Sequence, residues 1–137
     1  QEVEAEIDPA MTVEAMLTLA GQRIAGFMMS EFGQNMLRLI GGEGARFPEL
    51  ARDSYRNGPA LVHDRLVHHL HHLVQNGQLQ IDDLDLAAEQ FIQLCKASLV
   101  EKLVFRMDHQ VNDDRVGRSV RGAVEMFMAR YSVKTSS

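Results

Sequence analysis

Residues 84–107 read LDLAAEQFIQLCKASLVEKLVFRM, and this stretch decides the fold class because its apolar residues recur at helical spacing around most of a helix. Only a narrow polar strip remains, at Asp85, Glu89, Gln93 and Lys96. A helix that is apolar nearly all round has to be covered on more than one side. The stretch therefore predicts one long helix that is either the centre of a helical bundle or shared with another chain.

Helical spacing continues on both sides of this stretch. Apolar stripes predict further helices at residues 13–29, 30–44, 48–57, 59–76 and 113–131. We expect Ser30, the pair Asp82 and Asp83, and the pair Asp113 and Asp114 to cap the helices that follow them. Gly41, Gly42 and Gly44 would end the second helix. We find no strand pattern and no internal repeat. The sequence predicts an all-α multi-helix bundle of about six helices.

Composition limits the class of protein. The chain has 137 residues, 14 basic and 19 acidic, with a formal net charge of -5, which fits one domain and argues against nucleic-acid binding by this chain itself. The single cysteine, Cys95, excludes an internal disulfide framework. No apolar run is long enough for a membrane span and no signal peptide is evident, so we expect a cytoplasmic protein with no membrane partner.

The two ends differ in character from the rest. The chain starts at Gln1 without an initiator Met, and residues 1–12 are largely acidic and polar, so we expect them to be a linker from a missing N-terminal domain. Residues 13–131 would form the folded domain, and residues 132–137 a disordered tail.

A histidine cluster occupies the fourth predicted helix, at His63, His68, His69, His71 and His72. His68 and His72 are one turn apart and can reach a common transition metal, but spacing reveals no third ligand, so solvated surface histidines are the alternative. His63 falls inside the apolar stripe. It is either a core histidine bonded to a neighbour or a polar group that orients a ligand.

Enzyme signatures are missing from the sequence. It contains no carboxylate-bridged di-iron pattern, no HExxH, no GxSxG and no Walker-type loop. Cys95 lies mid-helix among apolar residues, where a thiol is usually an inert small hydrophobe. We predict no enzymatic activity, no cofactor and no metal.

Apolar residues with a few polar groups come from five different predicted helices and have to converge: Met16, Phe27, Met28, Met36, Tyr55, His63 and Phe91. Such a set is typical of small-molecule sites, in which a phenol and an imidazole fix the orientation of an apolar ligand. The alternative is that these side chains simply close-pack.

Three segments resemble the regulatory domain of the TetR family of bacterial transcriptional regulators, especially its AefR-like or AcrR-like branch. They are residues 38–51, RLIGGEGARFPELA, continuing to Tyr55 and the NGP of 57–59; residues 76–88, NGQLQIDDLDLAA, with Gln90 and Phe91; and residues 124–131, VEMFMARY. The glycine-rich residues 41–44, GGEG, depart from the family pattern, since relatives carry better helix formers there, and the histidine cluster is not part of that pattern.

The resemblance implies a domain that binds a small, mostly apolar effector and forms a homodimer, with operator DNA bound only through an N-terminal helix-turn-helix. The last two long helices would form a four-helix bundle with those of the partner. It adds Cys95 and Leu99 to the candidate ligand-binding residues, which also include Leu66 from the apolar stripe of the fourth helix. Dimer contacts would come from Leu94, Ala97 and Val100, and from one of two faces of the last helix: Val120, Val124 and Phe127, or Gly122 and Ala129.

Two other classes stay open from the sequence. A helical scaffold for protein interaction would have a packed interior and an exposed apolar groove, with no small ligand. A metal-dependent helical enzyme would hold metal through His68 and His72.

Overall fold

The structure, a computed structural model, describes residues 10–133 of the chain. Residues 1–9 of the predicted linker and 134–137 of the predicted tail lie outside this range. The described part is all-helical, as predicted, and is built from seven α-helices: α1 (Val13–Met29), α2 (Glu31–Glu43), α3 (Pro48–Arg56), α4 (Pro59–Gln75), α5 (Leu84–Cys95), α6 (Leu99–Val104) and α7 (Asp113–Tyr131). A short 3-10 helix, Asp108–Gln110, precedes α7.

Side-chain caps start four of the helices. Thr12 accepts a hydrogen bond from the Ala15 amide, Ser30 from Gly33 and Asp83 from Leu86, each satisfying one of the free amides of a first turn. The caps at Ser30 and Asp83 confirm the sequence prediction. The predicted cap at Asp113 and Asp114 is wrong, because Asn112 accepts from the Arg115 amide and the two aspartates lie in the first turn.

The predicted fifth helix, expected to be one long helix, is divided into two. The chain leaves helical geometry after Cys95, and Ser98 takes a left-handed backbone conformation with φ of 58° before α6 begins. Serine is rarely left-handed, and no glycine or proline marks this position. The break separates α5 from α6, and α7, with 19 residues, becomes the longest helix.

Helix α2 runs through Gly41 and Gly42 and ends at Glu43, with Gly44 as its C-cap. Of the three glycines predicted to stop this helix, only Gly44 lies at its end. In α4, the end before Gly77 is as predicted, and Gly77 has a positive φ of 76°, a conformation that glycine adopts freely.

The core lies where α1, α5 and α7 meet, with α4 packed on the other side of α5. Phe91 of α5 and Phe127 of α7 make an edge-to-face contact with ring centroids 5.4 Å apart. Leu79 and Ile81, in the loop between α4 and α5, close the core, and the Gln80 amide donates to the Tyr131 carbonyl. Three helices pack on α5 and cover much of its apolar surface within one chain, while Leu86 stays exposed.

At Gly21, helix α1 lies very close to α5 and α7. A Cβ atom built on Gly21 would lie 2.8 Å from Cγ1 of Val120 and 3.0 Å from Sγ of Cys95. Helix α1 therefore comes closer to α5 and α7 than any side chain at this position would allow.

Candidate ligand-binding and dimer surfaces

The structure divides the candidate ligand-binding residues into three groups. Met16, Leu66, Phe91, Cys95 and Leu99 are buried; Met28, Met36 and His63 are half-buried; Phe27 and Tyr55 are exposed, by 50% and 59%. The candidates therefore do not all converge on one enclosed space. The buried group belongs largely to the packed core, as the alternative from the sequence had it.

Cys95 behaves as part of this core. Its side chain is fully buried between Gly21 of α1 and the rest of α5, and burial raises the pKa of the thiol to about 12. A thiol with so high a pKa holds almost no thiolate near neutral pH, and the thiolate is the reactive form. The structure thus favours the inert role for Cys95.

Helices α2 and α3 bury very little of their surface. Among the described residues, α2 buries only Gly33 and α3 buries none. Helix α2 packs on α1, and α3 packs on α4. The apolar side chains around them that stay exposed are Phe27, Phe32, Leu39, Phe47, Leu50, Tyr55, Leu61 and Val62.

We call this set the uncovered apolar surface. Phe27 and Phe32 touch edge to face at the corner between α1 and α2, with ring centroids 5.9 Å apart. Phe27 and Tyr55 of this surface were among the ligand-binding residues expected from the sequence, whereas Phe47 and Leu50 were not. The signal for both was available, because they stand in the RFPEL segment and a short helix with its own apolar side needs a cover.

His63 links α4 to the start of α5. Its Nδ1 lies 3.1 Å from Oδ1 of Asp64, and its Nε2 lies 3.5 Å from Oδ1 of Asp85, in the first turn of α5. The side chain is only 19% exposed, and Nε2 has no hydrogen-bond partner among the described residues. The bond to Asp64 is of the kind expected if His63 is a core histidine bonded to a neighbour. The Nε2 atom, without such a bond among the described residues, keeps the other alternative open, in which His63 orients a ligand.

The hydrogen bond to Asp64 raises the pKa of His63 above its ordinary value, and the charge of Asp85 adds to this, while burial acts in the opposite direction. Because the pKa is raised in the folded state, protonation of His63 stabilises the fold. This contribution is complete below about pH 6.5, the pKa of a histidine in the unfolded chain, and it is lost as the pH rises through the pKa of the folded state.

We expect replacement of His63 by glutamine to lower the free energy of unfolding at pH 5.5 by at most about 1 kcal/mol, since both carboxylates are exposed, and by less at pH 8. Urea denaturation of both proteins across this range measures the difference. A matched change at His109, an exposed histidine of the 3-10 helix, should leave the pH profile as it is. A His63→Gln effect that grows with pH would contradict the assigned bonds.

The other histidines of α4 lie on its surface or close to it. His68, His71 and His72 are exposed, and the rings of His68 and His72 approach to a centroid distance of 4.7 Å. In the described part of the chain, no group of three or more His, Cys, Asp or Glu side chains is arranged to hold a metal ion. The arrangement expected of a metal-dependent enzyme is therefore not formed by these residues.

The structure distinguishes the two candidate dimer faces of α7. Val120, Val124 and Phe127 are buried in the core of their own chain, so that stripe is already covered by α1 and α5. Gly122 is half-buried and Ala129 exposed. Of the two faces that the sequence left open, only the one with Gly122 and Ala129 is available to a partner.

Met126, which sequence analysis did not select, is 60% exposed between these two small residues on the same side of α7. Among the residues expected beside it, Leu94 and Val100 are half-buried and Ala97 is exposed. Gly122 and Ala129 lie about one turn from Met126 on either side. Because both flanking residues are small, a second helix can approach this side of α7 closely.

A shallow depression of about 300 Å³ lies at the start of α7 and is lined by Gln110, Asn112, Asp114, Arg115 and Arg118. None of the candidate ligand-binding residues lines it.

None of the helices in the described part of the chain is both long and apolar enough to cross a membrane.

The comparisons with known proteins agree with this architecture. Residues 15–133 match the family described as AefR-like transcriptional repressor, C-terminal domain. A crystal structure assigned to the TetR-family transcriptional regulators, from Mesorhizobium loti, superposes with a TM-score of 0.85 at 25% identity; the match covers 96% of this chain and 65% of that one. The flavonoid-responsive regulator FrrA has the same fold, with a TM-score of 0.80 at 20% identity over 98% of this chain and 69% of that one. No curated protein sequence gave a significant match.

Proposed function

This chain belongs to the TetR family of transcriptional regulators as an AefR-like C-terminal domain, and we propose that it binds a small, mostly apolar effector and pairs with a second copy of itself. Through an N-terminal domain outside this chain, the whole protein would act as a repressor that the effector releases from operator DNA. The family is one of transcriptional regulators and not of enzymes. Since operator DNA lies in the bacterial cytoplasm, the proposal places the protein there.

The uncovered apolar surface is the observation that carries the effector proposal. Two whole helices, α2 and α3, bury a single described residue between them, although α2 alone carries Phe32, Met36, Leu39 and Ile40. Apolar area left in water is unfavourable by about 25 cal/mol per Å², so a ligand that covers it gains binding energy. Met28, Met36 and His63, which are half-buried, would add further contacts with the ligand.

Helix α1 would carry the response to the rest of the regulator. Its first two thirds are anchored in the core through Met16, Leu17 and Gly21, whereas Phe27 near its end is half exposed. A ligand held between α1, α2 and α4 would contact the end of α1 near Phe27 and displace it. Helix α1 would transmit this displacement toward residue 13. The ligand shifts the equilibrium only if it binds the two positions of α1 unequally.

The dimer would form through α7 and the region of α5 and α6 beside it. The half-buried Gly122 and the exposed Met126 and Ala129 lie at spacings of four and three residues, which places them on one side of α7. Leu94, Ala97 and Val100 would contribute from the neighbouring helices. A symmetric pair would use this side of both copies, since the commonest homodimers have a twofold axis.

The effector proposal is tested by thermal unfolding of this domain with a panel of hydrophobic amphiphiles, starting with a flavonoid because FrrA is named for its response to that class. A ligand at 100 times its Kd stabilises the fold by about 2.7 kcal/mol, which is easily measured. We expect Phe27→Ala to weaken the response about tenfold, while the matched Phe105→Ala, at another exposed phenylalanine after α6, leaves it unchanged.

Two outcomes would contradict this assignment. If both phenylalanine variants lose the response equally, the uncovered apolar surface is not the site. If no compound in a chemically diverse panel stabilises the domain, the surface serves to bind a protein segment, as expected for a helical scaffold.

A further inference from the structure

Helix α4 carries a row of neighbouring imidazoles, those of His68, His71 and His72 exposed and that of His69 half-buried, that the proposed function does not use. Ring centroids lie 5.9 Å apart between His68 and His69, 4.7 Å between His68 and His72, and 6.4 Å between His71 and His72. The closest pair, His68 and His72, is exposed and separated by one turn of an uninterrupted helix.

We propose that His68 and His72 form a two-histidine site for a divalent transition-metal ion on the exposed side of α4. Side chains four residues apart project from the same side of a helix, so two imidazole nitrogens can reach one ion without any change in the backbone. The rings already lie edge to face with centroids 4.7 Å apart, so the two side chains are close to one another before any ion binds.

The surroundings set the kind of site. No third His, Cys, Asp or Glu of the described chain completes a cluster, so water fills the other coordination positions. Asp64, one turn before His68, lies 3.1 Å from Nδ1 of His63, and it forms no three-residue metal-binding group with His68 and His72 in the described chain. The result is an open, exchangeable site and not a closed structural one.

The ligand chemistry selects the metal. Imidazole suits copper, nickel and zinc, whereas magnesium and calcium prefer oxygen ligands. The general order of affinity at nitrogen sites places Cu²⁺ above Ni²⁺ and Zn²⁺. A bound ion also joins two successive turns of α4, so it stabilises the folded chain independently of the uncovered apolar surface.

Calorimetric titration of the chain, purified without a histidine tag, with CuCl₂ and NiCl₂ tests the site. We expect one equivalent of Cu²⁺ to bind, and His68→Gln and His72→Gln each to weaken binding about tenfold or more, because each leaves a single imidazole ligand. His109→Gln is the matched control and should bind as the unchanged protein does. Binding should fall as pH is lowered from 7.5 to 5.5, since protons compete for the same nitrogens.

Electron paramagnetic resonance of the Cu²⁺ complex gives a readout that does not depend on affinity. Two coordinated imidazoles should appear in the nitrogen splitting of the unchanged protein and one in either variant. Equal binding by His68→Gln and the unchanged protein would overturn the proposal. So would a loss of binding in His71→Gln as large as that in His72→Gln, which would place the ion elsewhere in the histidine row.

Discussion

Gly21→Val is expected to lower the free energy of unfolding by about 3 kcal/mol, because its side chain would overlap atoms of a packed core. Even the first carbon would lie 2.8 Å from Cγ1 of Val120 and 3.0 Å from Sγ of Cys95. Neither atom can move aside cheaply, since valine is stiff at χ1 and the sulfur is fully buried. For a domain of this size, the loss corresponds to a fall in Tm of about 10 °C.

Gly26 offers a matched control on the same helix. A Cβ atom at Gly26 meets no described atom within 4 Å, so Gly26→Val should change the free energy of unfolding by no more than about 0.5 kcal/mol. Adding Val120→Ala to Gly21→Val should restore part of the stability, because it removes the closest clashing atom. Equal stability of the two glycine variants in urea denaturation would show that α1 does not pack this closely on α7.

Gly122→Glu is expected to abolish the proposed homodimer while leaving the single chain folded. No described atom lies within 4 Å of a Cβ built at Gly122, so the chain itself tolerates a side chain there. In a symmetric pair the new charge would be buried twice without a partner, a cost of several kcal/mol. A weakening of about a hundredfold, or about 2.8 kcal/mol, is a conservative expectation.

Sedimentation equilibrium at micromolar concentration measures this effect. Gly117→Glu is the control, since it makes the same change on a different side of α7 and meets only the flexible end of Arg121. Both substitutions remove a helix glycine and should raise helix propensity alike. A monomeric unchanged protein would refute the dimer, and equal loss of dimer in both variants would refute the assigned side.

Much of the fold follows from local sequence. The caps at Ser30 and Asp83 join residues three positions apart, and the apolar stripes repeat within one or two turns, so both are legible without knowing the neighbouring helices. The local nature of capping also explains why the predicted cap at Asp113 and Asp114 is wrong. Asn112 and Asp113 are adjacent and both favoured as caps, so pattern alone does not choose between them.

Less of the candidate ligand-binding site could be predicted from helical periodicity. Met16 and Phe27 share the apolar stripe of α1, yet one is buried and the other half exposed. Periodicity shows which side of a helix is apolar but not how much of that side a neighbouring helix covers. It also does not separate a residue that lines a ligand surface from one that fills the core.

The sequence by itself determined the all-helical class, the order of the helices and most of their ends, because helical spacing and capping depend on residues within four positions of each other. Only the tertiary structure decided that the break after Cys95 divides the predicted fifth helix, that Val120 packs against Gly21, and that α2 and α3 stay uncovered. Each of these depends on how residues distant in the chain share space in three dimensions. Steric fit between them is a property of the assembled helices and not of any one segment.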